Sequence, residues 1–290
     1  MNIDERQGEL CGAERYEAIG DWELAYSNRR AVPDVQQWLE RSAQDSAEFA
    51  GNYRGNMARD LAYGGRSRER IDLFEPQMLA LGTMVFIHGG YWRASSKESH
   101  WHFGQGMLDR GWRVAHVEYP LCPQVAIRDI ADAMRRAVEF LAERIPEGPI
   151  LMVGHSAGGH LATWLASDQG GLKPSTTVRI ARVVSLSGLH DLRPLVRAQQ
   201  LNADLKLDHD EAQRLSPVFA RPVGSFDLLC IAGSHELSEF RRQSRLLANL
   251  WSGLGVCSQA VEVRGANHYT LLDHLRSAAS PMVSLMAGPL

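Results

Sequence analysis

No stretch of this chain approaches the run of about 18 apolar residues that a membrane-crossing helix needs, so no membrane role is expected. The N-terminus, Met1-Asn2-Ile3-Asp4-Glu5-Arg6-Gln7, lacks the positive-then-apolar layout of a secretory signal, and a cytoplasmic location follows as the default. Cysteine is scarce. Cys11, Cys122, Cys230 and Cys257 lie far apart and form no C-x-x-C pair, which points to reduced structural thiols and not to a disulfide frame or a zinc site. No H-E-x-x-H occurs, and His100 and His102 stand too close to share one helix face, so neither a metal nor any other cofactor is expected. Basic charge is not in excess either: the net charge is -3, which leaves no electrostatic footprint for nucleic acid. The one small basic group, Arg66, Arg68 and Arg70, reads as a solvated hairpin turn. There is no internal repeat and no low-complexity linker.

What the chain does have is an ordinary globular composition, 44% hydrophobic and 22% charged over 290 residues, enough for one large α/β domain spanning 1–290. Residues 1–50 are polar and helix-prone. Trp22, Leu24, Ala25, Tyr26, Val35, Trp38 and Leu39 form the expected buried face of this N-terminal cover, with a break over 28–33. Residues 59–64 and 71–74 flank a polar turn and suggest an antiparallel hairpin. Continuous apolar runs at 83–87 and 150–153 have the character of strands buried on both faces, and further strands are expected at 112–119, 182–187, 227–232 and 259–263. Between them lie amphipathic helices, notably 127–145 and 239–252. Strands alternating with helices specify a mainly parallel sheet covered on both faces, whose sites form at the carboxyl ends of the strands. The exception is 192–224, polar and containing Pro194, Pro217 and Pro222, which reads as a cap insertion over the sheet's end.

The chemistry centres on Gly154-His155-Ser156-Ala157-Gly158. It joins a strand to a helix, and its flanking glycines allow the sharp turn of a nucleophile elbow. A serine hydroxyl is a poor nucleophile at neutral pH, so an elbow implies a base, an acid to orient it and donors for an oxyanion. His268 follows the last strand and precedes a final helix, which favours it as the base over His155, His190 and His274. Glu236, three residues past Gly233 at the end of the strand 227–232, is the expected acid, with Glu239 as substitute. The backbone N–H groups of Gly89 and Gly90, after the strand 83–87, and of Ala157, at the start of the elbow helix, are the expected oxyanion donors.

The set His88-Gly89-Gly90-Tyr91-Trp92, Tyr119-Pro120-Leu121-Cys122-Pro123, the elbow through Gly159-His160-Leu161-Ala162, Gly233-Ser234-His235-Glu236 with Glu239-Phe240-Arg241-Arg242-Gln243-Ser244, and Asn267-His268-Tyr269 resembles the kynurenine formamidases. These arylformamidases are α/β-hydrolases related to the hormone-sensitive-lipase-like esterases. Tyr26-Ser27 and Asp72-Leu73-Phe74-Glu75-Pro76 extend the resemblance over about residues 20 to 280. One departure is Glu236, where family members commonly carry aspartate. The resemblance implies Ser156 as nucleophile, Glu236 as acid, His268 as base and Gly89, Gly90 and Ala157 as oxyanion donors. It implies removal of the formyl group of N-formylkynurenine without a cofactor, and it makes Tyr91 and Trp92 candidates for stacking on the substrate's aryl ring.

The expected partner is thus a small aryl formamide or ester, with no nucleic acid and no membrane. The oligomeric state is left open, a homodimer included. A carboxylesterase for short acyl or aryl esters is the alternative enzyme, because the same machinery serves both reactions. A catalytically dead hydrolase fold acting as a receptor is the alternative from another class; such proteins usually lack the serine or the base, and this chain has both.

Overall fold

A computed structural model describes residues 18–288; Cys11 and the first part of the N-terminal cover lie outside them. The described chain builds one eight-stranded sheet in the order β1-β2-β4-β3-β5-β6-β7-β8. The strands are β1 Met57–Ala62, β2 Arg70–Phe74, β3 Gly82–Ile87, β4 Trp112–Val117, β5 Ile150–His155, β6 Ile180–Leu186, β7 Asp227–Gly233 and β8 Cys257–Val263. β2 runs antiparallel to both β1 and β4, and every other pairing is parallel. The sheet is mainly parallel, as the alternation of strands and helices in the sequence requires.

The apolar runs at β3 and β5 are continuous because each face of the sheet has its own core. Val85, Ile87, Ile150 and Met152 face one cluster, which includes the helices Ile127–Arg144 and Ser238–Ser252. Their neighbours Met84, Phe86, Leu151 and Val153 face the other, with Trp38, Phe103, Met107, Leu272 and Met286. Successive side chains point to opposite faces, so a strand buried on both sides is apolar at nearly every position. Phe86 is 1% exposed, and truncating a side chain of that size in such a place costs about 3–5 kcal/mol.

Several local expectations change. The segment predicted as a break contains a short helix, Asn28–Ala31, and Leu24 is exposed while Tyr26, Val35 and Trp38 are buried. The segment after His268 is a 3-10 run, Thr270–Leu275, and the last α-helix is Pro281–Ala287. Arg68 and Arg70 are half-buried and bonded to neighbouring groups. Arg68 pairs with Glu118 and donates to the carbonyls of Tyr119 (3.0 Å) and Ser95 (2.7 Å), while Arg70 caps the turn carbonyls of Gly64, Arg66 and Glu69. Only Arg66 has an exposed side chain. Residues 192–224, between β6 and β7, form two short helices, Gln199–Leu205 and His209–Arg214, and two 3-10 turns. No helix among the described residues is long and apolar enough to cross a membrane.

Candidate active site

Five loops meet at the carboxyl edge of the sheet, following β3, β5, β6, β7 and β8. At the centre is Ser156, immediately after β5, with φ 54° and ψ -117°. A non-glycine residue in that region is strained by about 1–3 kcal/mol, and here the surroundings hold it. Its N–H donates to the Leu186 carbonyl at 2.8 Å, and the helix Ala157–Leu165 starts at the next residue. The turn demands its glycines: a Cβ at Gly154 would overlap the Gly158 carbonyl, and one at Gly158 the Ile87 carbonyl. Because Ala157 opens the helix, its N–H has no intrahelical acceptor and sits at the positive end of the helix dipole.

The His88-Gly89-Gly90 loop lies directly against this elbow. A Cβ on Gly89 would stand 3.0 Å from the Ser156 Cβ and 3.0 Å from the His155 carbonyl, so only glycine lets the two backbones come this close. Tyr119 stacks on His88 at 4.2 Å between ring centroids and donates its hydroxyl to the carbonyls of His88 (2.8 Å) and Gly89 (3.2 Å). The carbonyl side of the loop is thereby tied down. Among the described residues the N–H groups of Gly89 and Gly90 donate to no protein acceptor. The loop then runs through three positive φ values in succession, Gly90 at 104°, Tyr91 at 50° and Trp92 at 56°.

The indole of Trp92, a candidate for stacking on the substrate, is wholly buried and lies edge-on to His160 at 5.0 Å between ring centroids. Tyr91 stays half-buried, with its hydroxyl donating to the Tyr26 carbonyl at 2.6 Å. Burial pushes its phenol well above the ordinary tyrosine range, so it remains a neutral donor.

His268 and Glu236 form a direct pair: Nδ1 lies 2.8 Å from Oε2, and both side chains are nearly inaccessible. A carboxylate oxygen only accepts, so Nδ1 carries a proton, and in the neutral imidazole Nε2 is the nitrogen with the lone pair. The second oxygen of Glu236 accepts from the Ser187 hydroxyl and from the Gly233 N–H, each at 2.6 Å. Ser187 stands directly after β6 with φ 52°; the sequence pattern places it inside the strand 182–187 and assigns it no role in the site. Only its place after a strand could have suggested it.

Glu239 is elsewhere. It accepts from Tyr26 at 2.6 Å and forms a two-point ion pair with Arg242, so it is not the partner of His268. Burial alone would raise its carboxyl, but the bonds from Arg242 and Tyr26 outweigh that and hold it below the usual range. Two of the rival histidines are occupied too. His190 contacts Ser185 (3.1 Å) and Thr163 (3.3 Å). His155 donates from Nε2 to the His268 carbonyl at 2.9 Å, and its ring lies 4.6 Å from that of His268. Burial, followed by the neighbouring His268, pushes the His155 imidazole well down, so it stays neutral and acts as a backbone strut. Through His155 the elbow and the base loop touch; no hydrogen bond directly links the Ser156 hydroxyl to His268. Such bonds are commonly loose without substrate and tighten in the complex.

The arrangement can do acyl-transfer chemistry: an elbow serine, an imidazole held in one tautomer by a carboxylate, and unpaired backbone donors beside the serine. Among the described residues no group of His, Cys, Asp and Glu side chains is placed to hold a metal ion. Sheet and site together define an α/β-hydrolase, and the protein is a hydrolase.

The chain belongs to the BD-FAE family, whose model matches residues 71–220. The kynurenine formamidase of Salmo salar is 25% identical over 259 residues, covering 86% of this chain and 87% of the relative. A crystal structure from Silicibacter sp. TM1040, provisionally described as a thioesterase, is 32% identical, with a TM-score of 0.86 over 92% of this chain and 99% of its own. An esterase of Pyrobaculum calidifontis shares the fold, with a TM-score of 0.70 at 19% identity over 87% of this chain and 90% of its own.

Proposed function

We propose that the protein hydrolyses an aryl formamide, N-formyl-L-kynurenine being the substrate that fits the family resemblance best, to the aryl amine and formate. Ser156 Oγ attacks the formyl carbon while His268 Nε2 takes its proton. The developing oxyanion is held by the N–H groups of Gly89, Gly90 and Ala157, and Glu236 stabilises the imidazolium. The C–N bond breaks as His268 returns the proton to the aryl amine, leaving a formyl ester on Ser156. A water molecule deprotonated by His268 then attacks that ester, formate departs and Ser156 regains its proton.

The observation that carries this reading is the depth of Ser156. The residue is 2% exposed and packed against Gly89, which favours the smallest acyl group, a formyl carbon bearing only hydrogen. An aryl amine also leaves more readily than an alkyl amine once protonated. The half-buried Tyr91 stands beside the donors and is the remaining candidate for contact with the aryl ring. The second reading, a carboxylesterase for short acyl or aryl esters, uses the same groups, and the thioesterase description of the Silicibacter relative favours it. Comparing kcat/KM on N-formylkynurenine with that on p-nitrophenyl acetate separates them. A ratio strongly favouring the ester overturns the formamidase assignment. Failure of a fluorophosphonate probe to label Ser156 overturns both in favour of a receptor.

A further inference from the structure

The N-terminal segment 22–31 supplies no group of the site, yet one of its residues touches both halves of it. Tyr26 is 3% exposed. Its backbone carbonyl accepts the Tyr91 hydroxyl at 2.6 Å, which anchors the strained loop carrying Gly89 and Gly90. Its own phenol donates to Glu239 at 2.6 Å and accepts from Gln243 Nε2 at 3.1 Å, both on the helix Ser238–Ser252. That helix backs the base: the Tyr26 ring meets Phe240 edge-on at 6.2 Å, and Phe240 lies 4.7 Å from the His268 ring. Gln243 in turn accepts from the N–H groups of His190 (2.6 Å) and Asp191 (2.8 Å), at the entrance to the 192–224 insertion. The segment is also fastened to that insertion, where Arg197 lies over Trp22 at 4.6 Å and the Gln200 N–H donates to Glu23 at 2.8 Å.

We infer that Tyr26 is a positioning residue, clamping the oxyanion loop, through Tyr91, to the helix behind His268, through Glu239 and Gln243. This rests on the acyl-transfer reading of Ser156 and His268. The physical need is plain: the donors follow β3 and the base follows β8, on strands separated in the sheet by β5, β6 and β7. Displacing donors from the base by about 1 Å is enough to cost ~10²-fold in rate. A tyrosine bonded at both ends, one end a backbone carbonyl and the other a phenol, fixes that spacing across the mouth of the site.

Two conservative variants break the clamp at opposite ends. Tyr91→Phe keeps the ring and removes the bond to the Tyr26 carbonyl. Tyr26→Phe keeps the ring on Phe240 and removes the bonds to Glu239 and Gln243. Each is expected to lower kcat on the preferred acyl substrate by about 5–50-fold with KM within about twofold, and to move the melting temperature by less than about 4 °C. Because either break frees the same segment, the double variant should lose at most about twofold more than the worse single variant. The inference is overturned if both single variants keep kcat within about twofold of wild type, if KM rises instead of kcat falling, or if the two losses multiply in the double variant. Fluorophosphonate labelling of the wild-type protein separates the two levels. An unlabelled wild type sinks the reading of the site itself, whereas a labelled wild type with fully active Phe variants sinks only the role of Tyr26.

Discussion

Glu236 and His268 are 32 residues apart in sequence and 2.8 Å apart in space, joined Oε2 to Nδ1 at the ends of two neighbouring strands. The pairing fixes which imidazole nitrogen faces away from the carboxylate. Glu236→Gln should fold as wild type and lose about 10³–10⁴-fold in kcat, as when an imidazole is held in the wrong tautomer. Glu239→Gln should lose far less. If circular dichroism shows both variants folded and Glu239→Gln is the more crippled, the acid has been misassigned.

Ser187 secures the other oxygen of the same carboxylate, at 2.6 Å. With Ser187→Ala, Glu236 retains the Gly233 N–H and His268 but loses a buried donor, and about tenfold in kcat is the expected cost, near 1.4 kcal/mol. Labelling by a fluorophosphonate should slow in Ser187→Ala and vanish in Ser156→Ala. Abolished labelling in Ser187→Ala would show that Ser187 does more than steady the acid.

Gly89 tests the oxyanion loop. Its missing Cβ leaves a 3.0 Å approach to Ser156 and to the His155 carbonyl, a backbone atom that cannot swing aside. Gly89→Ala must therefore push the loop away by a few tenths of an ångström, and a loss of about 10–100-fold in kcat is expected with little change in melting temperature. Wild-type turnover in a crystallographically shifted Gly89→Ala loop would mean that these donors do not hold the oxyanion.

Stability should fall steadily on mild acidification. Burial pushes the imidazoles of His100 and His190 down to about 3 and those of His102 and His160 to about 4, and drives His116 and His155 well down too. In the unfolded chain they titrate near 6.5, so below that pH the unfolded state binds protons that the folded state refuses. Their contribution is complete above pH ~6.5 and drains away as the pH falls toward the folded values, by at most about 1.4 kcal/mol per histidine per pH unit. Thermal melts from pH 7 to 5 should show a falling melting temperature; a flat profile would mean these rings charge freely in the native state.

The regular parts of this protein were legible because two physical signals are local. Apolar continuity marked β3 and β5, and three- and four-residue spacing marked the helix Ile127–Arg144, since each reports burial of residues near one another in the chain. The elbow at Ser156 was legible for a similar reason: its glycines are demanded by contacts among residues close in sequence or at the adjoining strand end. What could not be read depends on partners far away. Trp92 is wholly buried against His160, a residue 68 positions on. Ser187 gained its place from a carboxylate 49 residues on, and Tyr26 from one 213 residues on. Arg68 takes its place from Glu118, at the end of another strand.

β8 closes the sheet. Among the described residues it pairs only with β7, its residues are all exposed or half-exposed, and the loop after it carries His268. The proton shuttle thus hangs from the margin of the fold while the serine stands at its middle, and marginal strands open at a lower free energy than central ones. On heating, turnover should die some degrees before tryptophan fluorescence reports collapse of the interior, and the enzyme should recover in full when cooled from that interval.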